Sequence, residues 1–446
     1  MKKLFLTAAC MAAIAATTTM CSKSSEVKDN PFLTEYETPY QIPPFDKIKF
    51  EHYIPAMEAG FEEQNKNVEA IIANPDTTFA NTILAFEESS PILDRVSYVM
   101  YALTESDACP ELDSISEIFF PAVTQHSDEI WMNDALFQRV KALYDSRDTL
   151  PAVDQRRLVE EYYKRFTRAG ALLSPEQKAE LKEINTELQN LYLQFNKNLL
   201  DATNAYAYIV TDSAMLSGLP KSSVDQAAEA AAEMGKEGSW AFTLHAPSRL
   251  PLLQYADNRD LRKEIYTAYT TLASAEPYNN YPVVNKILQA RAKKAKLLGF
   301  NDFGSFMTDN VMAGSTENAE NLLMQIWKPA VARVNQEVKE MQAVANAEGA
   351  DITIEPWDYY YYAEKVRQQK YNLDESQVRE YFALDSVRNG IFTMAERLYG
   401  VKFTPMQDAP LYNPEVVVYD VTDAATGDHV AVFMTDYFPR ASKRHG

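Results

Sequence analysis

The chain has 446 residues, 46% of them hydrophobic and 24% charged, so length and composition allow a large buried core. Asp and Glu outnumber Lys and Arg by 63 to 43, and the resulting net charge of −20 repels a phosphate backbone, which argues against nucleic acid as a partner. Thirteen glycines are too few for a loop-rich or all-β fold, whose turns and bulges need them.

At the start, Lys2 and Lys3 precede an apolar stretch, LFLTAACMAAIAA (4–16), that is too short to cross a bilayer. Cys21 follows it and opens a polar tether, SKSSEVKDN (22–30). The pattern resembles a bacterial lipoprotein signal, although Thr18 stands where Leu is commoner and Met20 where Gly or Ala is. It implies a signal peptide over 1–20, lipidation of Cys21 and a place in the cell envelope, either membrane-anchored or, after ordinary cleavage, periplasmic. Cys109 is then the remaining thiol, so no internal disulfide is expected.

Residues 21–44 read as tether and extended strap, with Pro31, Pro39, Pro43 and Pro44 opposing regular structure. Ile54, Met57, Phe61, Val68, Ile71 and Ile72 recur at helical spacing, and NPDTTF (74–79) ends that helix. Further helices are expected over 81–105, 112–127 and 132–147. In 151–205, Ser174, Pro175 and Gln177 form a helix-start signature, followed by Leu181, Ile184, Leu188, Leu191, Phe195 and Leu199 at spacings of three and four. Strand-like pieces at 205–210 and 240–245 flank an alanine-rich helix through 226–235. Helices are then expected over 258–274, 282–298, 316–347, 357–370, 374–382 and 385–399. Two β-branched runs within 415–438, joined through Thr426, Gly427 and Asp428, have the form of a hairpin. The fold class is therefore mainly α, with a small hairpin or sheet near the C-terminus, and no 34- or 40-residue repeat supports a solenoid.

A zinc hydrolase built on one helix needs two histidines four residues apart, and His52, His126, His245, His429 and His445 supply no such pair. His126 and Glu129 are three apart and read as a solvated face; His52 reads as a hydrogen-bonded packing residue. There is no P-loop and no GxSxG elbow. The adjacent pairs Glu87-Glu88 and Glu160-Glu161 splay on a helix and read as solvated charges. Spacing thus names no catalytic residue and no metal ligand. The run Tyr359 to Tyr362 reads first as helix packing and second as a ligand-stacking face.

The stretch WAFTLHAPSRLPLLQYADNRDLRKEIYTAYTTLAS (240–274) strongly resembles the thimet oligopeptidase family of zinc metallopeptidases, particularly its bacterial peptidyl-dipeptidase branch. FDKIKFEHYIPAMEAGFEE (45–63), NTILAFEESSPILDRV (81–96) and residues 166–198, 285–307, 357–392 and 433–446 are similar in the same order. The resemblance implies a nearly all-helical, two-lobed ellipsoid with a deep channel and a small sheet. It implies an N-terminal helical region over 45–250 and the first part of the catalytic domain over 251–446. It further implies a monomeric peptidase that uses zinc to release C-terminal dipeptides from oligopeptides. Val432, Phe433, Met434, Thr435 and Asp436 match the family's channel-side strand and are the implied substrate-binding residues, by β-addition. The family's zinc helix lies beyond the segment matching Asp436 to Gly446. The chain is therefore expected to be a fragment without the zinc site, metal-free and inactive alone. The alternative expectation is a complete, non-catalytic envelope lipoprotein that binds peptides or glycans.

Overall fold

The computed structural model describes residues 29–372 and 378–443. The expected signal peptide, Cys21 and His445 lie outside these, as does part of the helix expected at 374–382. Among these, residues 29–172, with Thr404–Val421 and His429–Asp436, form one compact unit; the described residues of Leu173–Phe403, with Thr422–Asp428 and residues 437–443, form a second.

The first unit is mostly helix: α1 (Tyr53–Ala73), a π-turned segment α2 (80–87), α3 (Pro91–Ser106), α4 (Pro110–Trp131), α5 (Asp134–Asp145) and α6 (Val153–Arg168). His52 sets the start of α1, because its Nδ1 accepts the Lys49 N–H at 3.1 Å, which bears out its packing role. Gly60 lets α1 and α3 touch: a Cβ there would lie 2.8 Å from the backbone nitrogen of Leu93. Val68, Ile71, Phe86, Ile130, Phe137, Val140, Val159 and Phe166 close a core from five of the helices.

The single helix expected over 81–105 is broken. Glu88 leaves helical geometry and Pro91 starts α3, where its missing N–H costs nothing. Buried Ser89 between them takes a hydrogen bond from Asn67 Nδ2 on its carbonyl at 2.9 Å. His126 is also not on a solvated face. It follows Leu112, Phe119 and Phe120 and precedes Ile130 on the buried side of α4, stacks on Phe61 at 4.2 Å and lies 2.7 Å from Gln64 Oε1. Burial pushes its pKa down, favouring the neutral ring.

The second unit begins with α7 (Pro175–Ala205), capped as the sequence implies: Ser174 Oγ accepts the Gln177 N–H, and Gln177 Oε1 accepts the Ser174 N–H. Its stripe of Ile184, Leu188 and Leu191 packs on Val283, Ile287 and Ala290 of α11 (Tyr281–Leu297). Strands β1 (Ala207–Val210) and β2 (Trp240–Thr243) pair antiparallel, Val210 opposite Trp240, around α8 (Lys221–Glu233). Val210 and Phe242 are buried with Leu252 and Leu253 of α9 (Ala246–Tyr255) and Leu261 and Ile265 of α10 (Arg259–Thr270). Helix α9 and the short α12 (Phe303–Thr308) were not expected. Helix α13 (Thr316–Ala347) matches its expected span, and its second half buries Met341, Val344 and Ala345 against α14 (Tyr359–Tyr371). In its first half Leu322, Leu323 and Trp327 are each at least 60% exposed. Helix α15 (Leu384–Tyr399) follows.

The chain ends in a three-stranded sheet of order β3 (Val401–Pro405), β4 (Val417–Asp423), β5 (His429–Thr435). The fold is mainly α with a small C-terminal sheet, as expected; β3 is the strand that the sequence did not announce.

Candidate functional site

Strand β5 carries the substrate-binding residues implied by the sequence, and among the described residues it is an edge strand, paired in the sheet with β4 alone. Strand alternation sorts its side chains. Val432 and Met434 point inward, against Ile42, Ala409, Val416 and Val418. Phe433 points the other way, 43% exposed, with its ring 6.5 Å from that of buried Tyr419. Thr435 is buried, its hydroxyl directed at the Val417 carbonyl at 3.4 Å, and Asp436 Oδ2 accepts the Tyr412 hydroxyl at 2.9 Å. The structure thus keeps the five residues contiguous but gives them different tasks. Val432, Met434 and Thr435 hold the strand in place, whereas Phe433 and the outer backbone edge face outward. Such an edge presents N–H and C=O groups to any extended chain laid beside it.

The turn that fixes this hairpin is built by Asp423 and Gly427. Asp423 Oδ1 accepts the N–H groups of Ala425 and Thr426, each at 2.9 Å, and these bonds hold its carboxyl below the usual carboxylate range. Gly427 sits at φ 79°, a conformation that a side chain would strain.

A second feature of the sheet was not visible in the sequence. His429 Nδ1 lies 2.7 Å from Asp420 Oδ1, and Tyr40 donates its hydroxyl to Asp420 Oδ2 at 3.0 Å. The Tyr40 ring lies flat on His429, with 3.5 Å between ring centroids and 4° between planes. Tyr40 and Gln41 both adopt positive φ to make this possible, so the strap is pinned to the sheet at a conformational cost. No signal in the sequence joins residue 40 to residues 420 and 429.

In the second unit Asp358 is fully buried and receives Arg259 at 2.7 Å and Arg262 at 2.8 Å, plus the Glu355 N–H at 3.1 Å. Burial pushes its pKa up, but the two guanidiniums and the N–H outweigh that and hold it below the usual range. Every proton-accepting position is occupied, so this carboxylate organises structure. The tyrosine run divides: Tyr361 and Tyr362 enter the core, while Tyr359 and Tyr360 are about 40% exposed. Cys109 is half-buried before α4, and burial is the main reason its thiol pKa is raised, so it remains protonated.

Among the described residues, no three His, Cys, Asp or Glu side chains converge in a way that could hold a metal ion. No described helix is long and apolar enough to cross a membrane.

Residues 252–446 match Peptidase family M3. Over 421 residues, 94% of the chain, the protein is 37% identical to the dipeptidyl carboxypeptidase of Salmonella typhimurium and 36% identical to that of Escherichia coli. It is 31% identical over 425 residues to oligopeptidase A of Escherichia coli. The chain spans 62% of the length of each of these relatives. With the mainly helical fold, these matches bear out the resemblance to the thimet oligopeptidase family.

Proposed function

We propose that this chain is part of a peptidyl-dipeptidase, a metallopeptidase that removes C-terminal dipeptides from oligopeptides. The observation that carries this reading is the identity to two dipeptidyl carboxypeptidases along 94% of the chain, higher than that to oligopeptidase A. In this reading β5 takes the peptide as an added strand, with Phe433 covering one face of it. Val432, Met434, Thr435 and Asp436 act by fixing the strand that does so.

The family's metal is zinc, which polarises the scissile carbonyl and activates water when bound. The described residues do not fit it, since no ligand set converges among them. No catalytic step is therefore assigned to these residues. What they supply in this reading is a place for an extended substrate. We also propose export to the cell envelope with a lipid on Cys21.

Product analysis tests the reading. The protein purified from its own source, with the metal it carries, is incubated with a decapeptide bearing a free C-terminus, and products are identified by mass. Successive loss of C-terminal dipeptides, stopped by a chelator, supports it. Internal cleavage alone, in the manner an oligopeptidase name suggests, would replace it, and binding without turnover would favour a non-catalytic peptide-binding lipoprotein.

A further inference from the structure

A cavity of about 540 Å³ lies within the second unit, walled by α7, the start of α9 and the end of α10. That is the size of small-molecule sites. One wall is apolar, formed by Leu199, Leu200 and Leu272, and Asn196 and Thr203 add polar groups beside it. None of its lining residues is acidic, although the chain as a whole carries −20.

Arg249 is the residue that needs explaining. Only 9% of it is exposed, so its charge has lost most of its hydration. The other deeply buried arginine near it in sequence, Arg262, has the Asp358 carboxylate at 2.8 Å. Arg249 instead has its Nε directed at the Leu244 carbonyl at 3.3 Å and its guanidinium laid over the Tyr269 ring at 3.5 Å. These contacts fix the plane of the guanidinium. Its two terminal nitrogens have no hydrogen-bond acceptor among the described residues, and the residue lines the cavity. Ala246, first residue of the ten-residue α9, lines it too, bringing the partly positive start of a helix to the same space. Lys443 adds a second cation. His245 is kept neutral by burial and offers no competing charge.

We propose that this cavity binds a small carboxylate with an apolar body, the carboxylate on Arg249 and the body against Leu199, Leu200 and Leu272. A planar fork held by the Tyr269 ring and the Leu244 carbonyl matches a carboxylate in two-point fashion. The leucine wall gives no purchase to a bare inorganic anion but buries a hydrocarbon side chain. The inference stands apart from the peptidase reading, because none of these residues lies on β5.

The test is calorimetric titration of the chain with N-acetyl-leucine, N-acetyl-leucinamide and inorganic phosphate. N-acetyl-leucine is expected to bind, with the amide and phosphate weaker by about tenfold or more. Arg249→Gln should weaken the acid by a similar factor and leave the amide unchanged. Leu200→Trp, which fills the cavity without touching the charge, should weaken it as well and covers the case in which Arg249→Gln fails to fold. Equal affinity for acid and amide, phosphate binding as tight as the acid, or no binding of the acid up to about 10 mM would each overturn the assignment.

Discussion

Arg262 donates to Asp358 at 2.8 Å with both side chains almost wholly withdrawn from water, 2% and 0% exposed. The pair ties α10 to the turn that begins α14, both within the segment matching Peptidase family M3. Such a pair is costly to break from one side, because the survivor is left charged and buried. Asp358→Ala should therefore lower unfolding free energy by about 3–5 kcal/mol in denaturant titration. The pH dependence follows from the sign of the shift. The Asp358 carboxyl is held below its ordinary value in the folded state, so its contribution is complete above about pH 4 and fades as pH falls through the lower folded value. Asp358→Asn should flatten that acid limb, which melting curves across pH 2–5 would read as a smaller loss than in the parent.

Gly60 makes a second, purely steric prediction. Its missing side chain lets the backbone of α3 approach at Leu93, where a Cβ would be 2.8 Å from nitrogen and 2.9 Å from Cα. The atoms it would meet are mostly backbone and cannot rotate away. Gly60→Ala should destabilise by about 1–3 kcal/mol even though alanine is the better helix former. An unchanged denaturation midpoint would show that α1 and α3 separate freely.

The stack of Tyr40 on His429, anchored through Asp420, makes the strap part of the sheet. Removing the ring in His429→Ala should speed amide exchange several-fold in residues 38–42 while leaving α1 to α6 protected. Exchange that stays slow in the strap would mean that Ile42, buried in the sheet core, suffices to hold it.

For the export proposal, Cys21→Ala should abolish incorporation of labelled palmitate and release the protein from the membrane fraction. Labelling that persists in the variant would remove Cys21 from the account.

Much of the fold could be read from local chemistry. Ser174 and Gln177 announced the start of α7, and the leucine spacing that follows named its buried face. Gly427 marked the hairpin turn. The failures share a cause, which is that the deciding partner is far along the chain. Helix α9 carries Pro247 in its first turn and Pro251 in its interior, and it is the burial of Leu252 and Leu253 against distant Val210 and Phe242 that supports it. His126 looked solvated beside Glu129 because Phe61 and Gln64, its partners, lie on α1. At the candidate site the strand was legible, but its division of labour was not. Ile42 and Val418, which draw Val432 and Met434 inward, are set by tertiary contact. A lone arginine in 249 carries no sign in sequence that it will be buried without a carboxylate.

The claim that β5 receives an extended peptide is tested most directly by hydrogen exchange across residues 429–436, with and without a saturating oligopeptide, in parent and Phe433→Ala protein. An added strand bonds to the outer edge, so peptide should slow exchange of alternate β5 amides by about tenfold or more, and Phe433→Ala should weaken the effect. Protection that leaves β5 unchanged while appearing elsewhere would contradict the account and move the substrate to another surface.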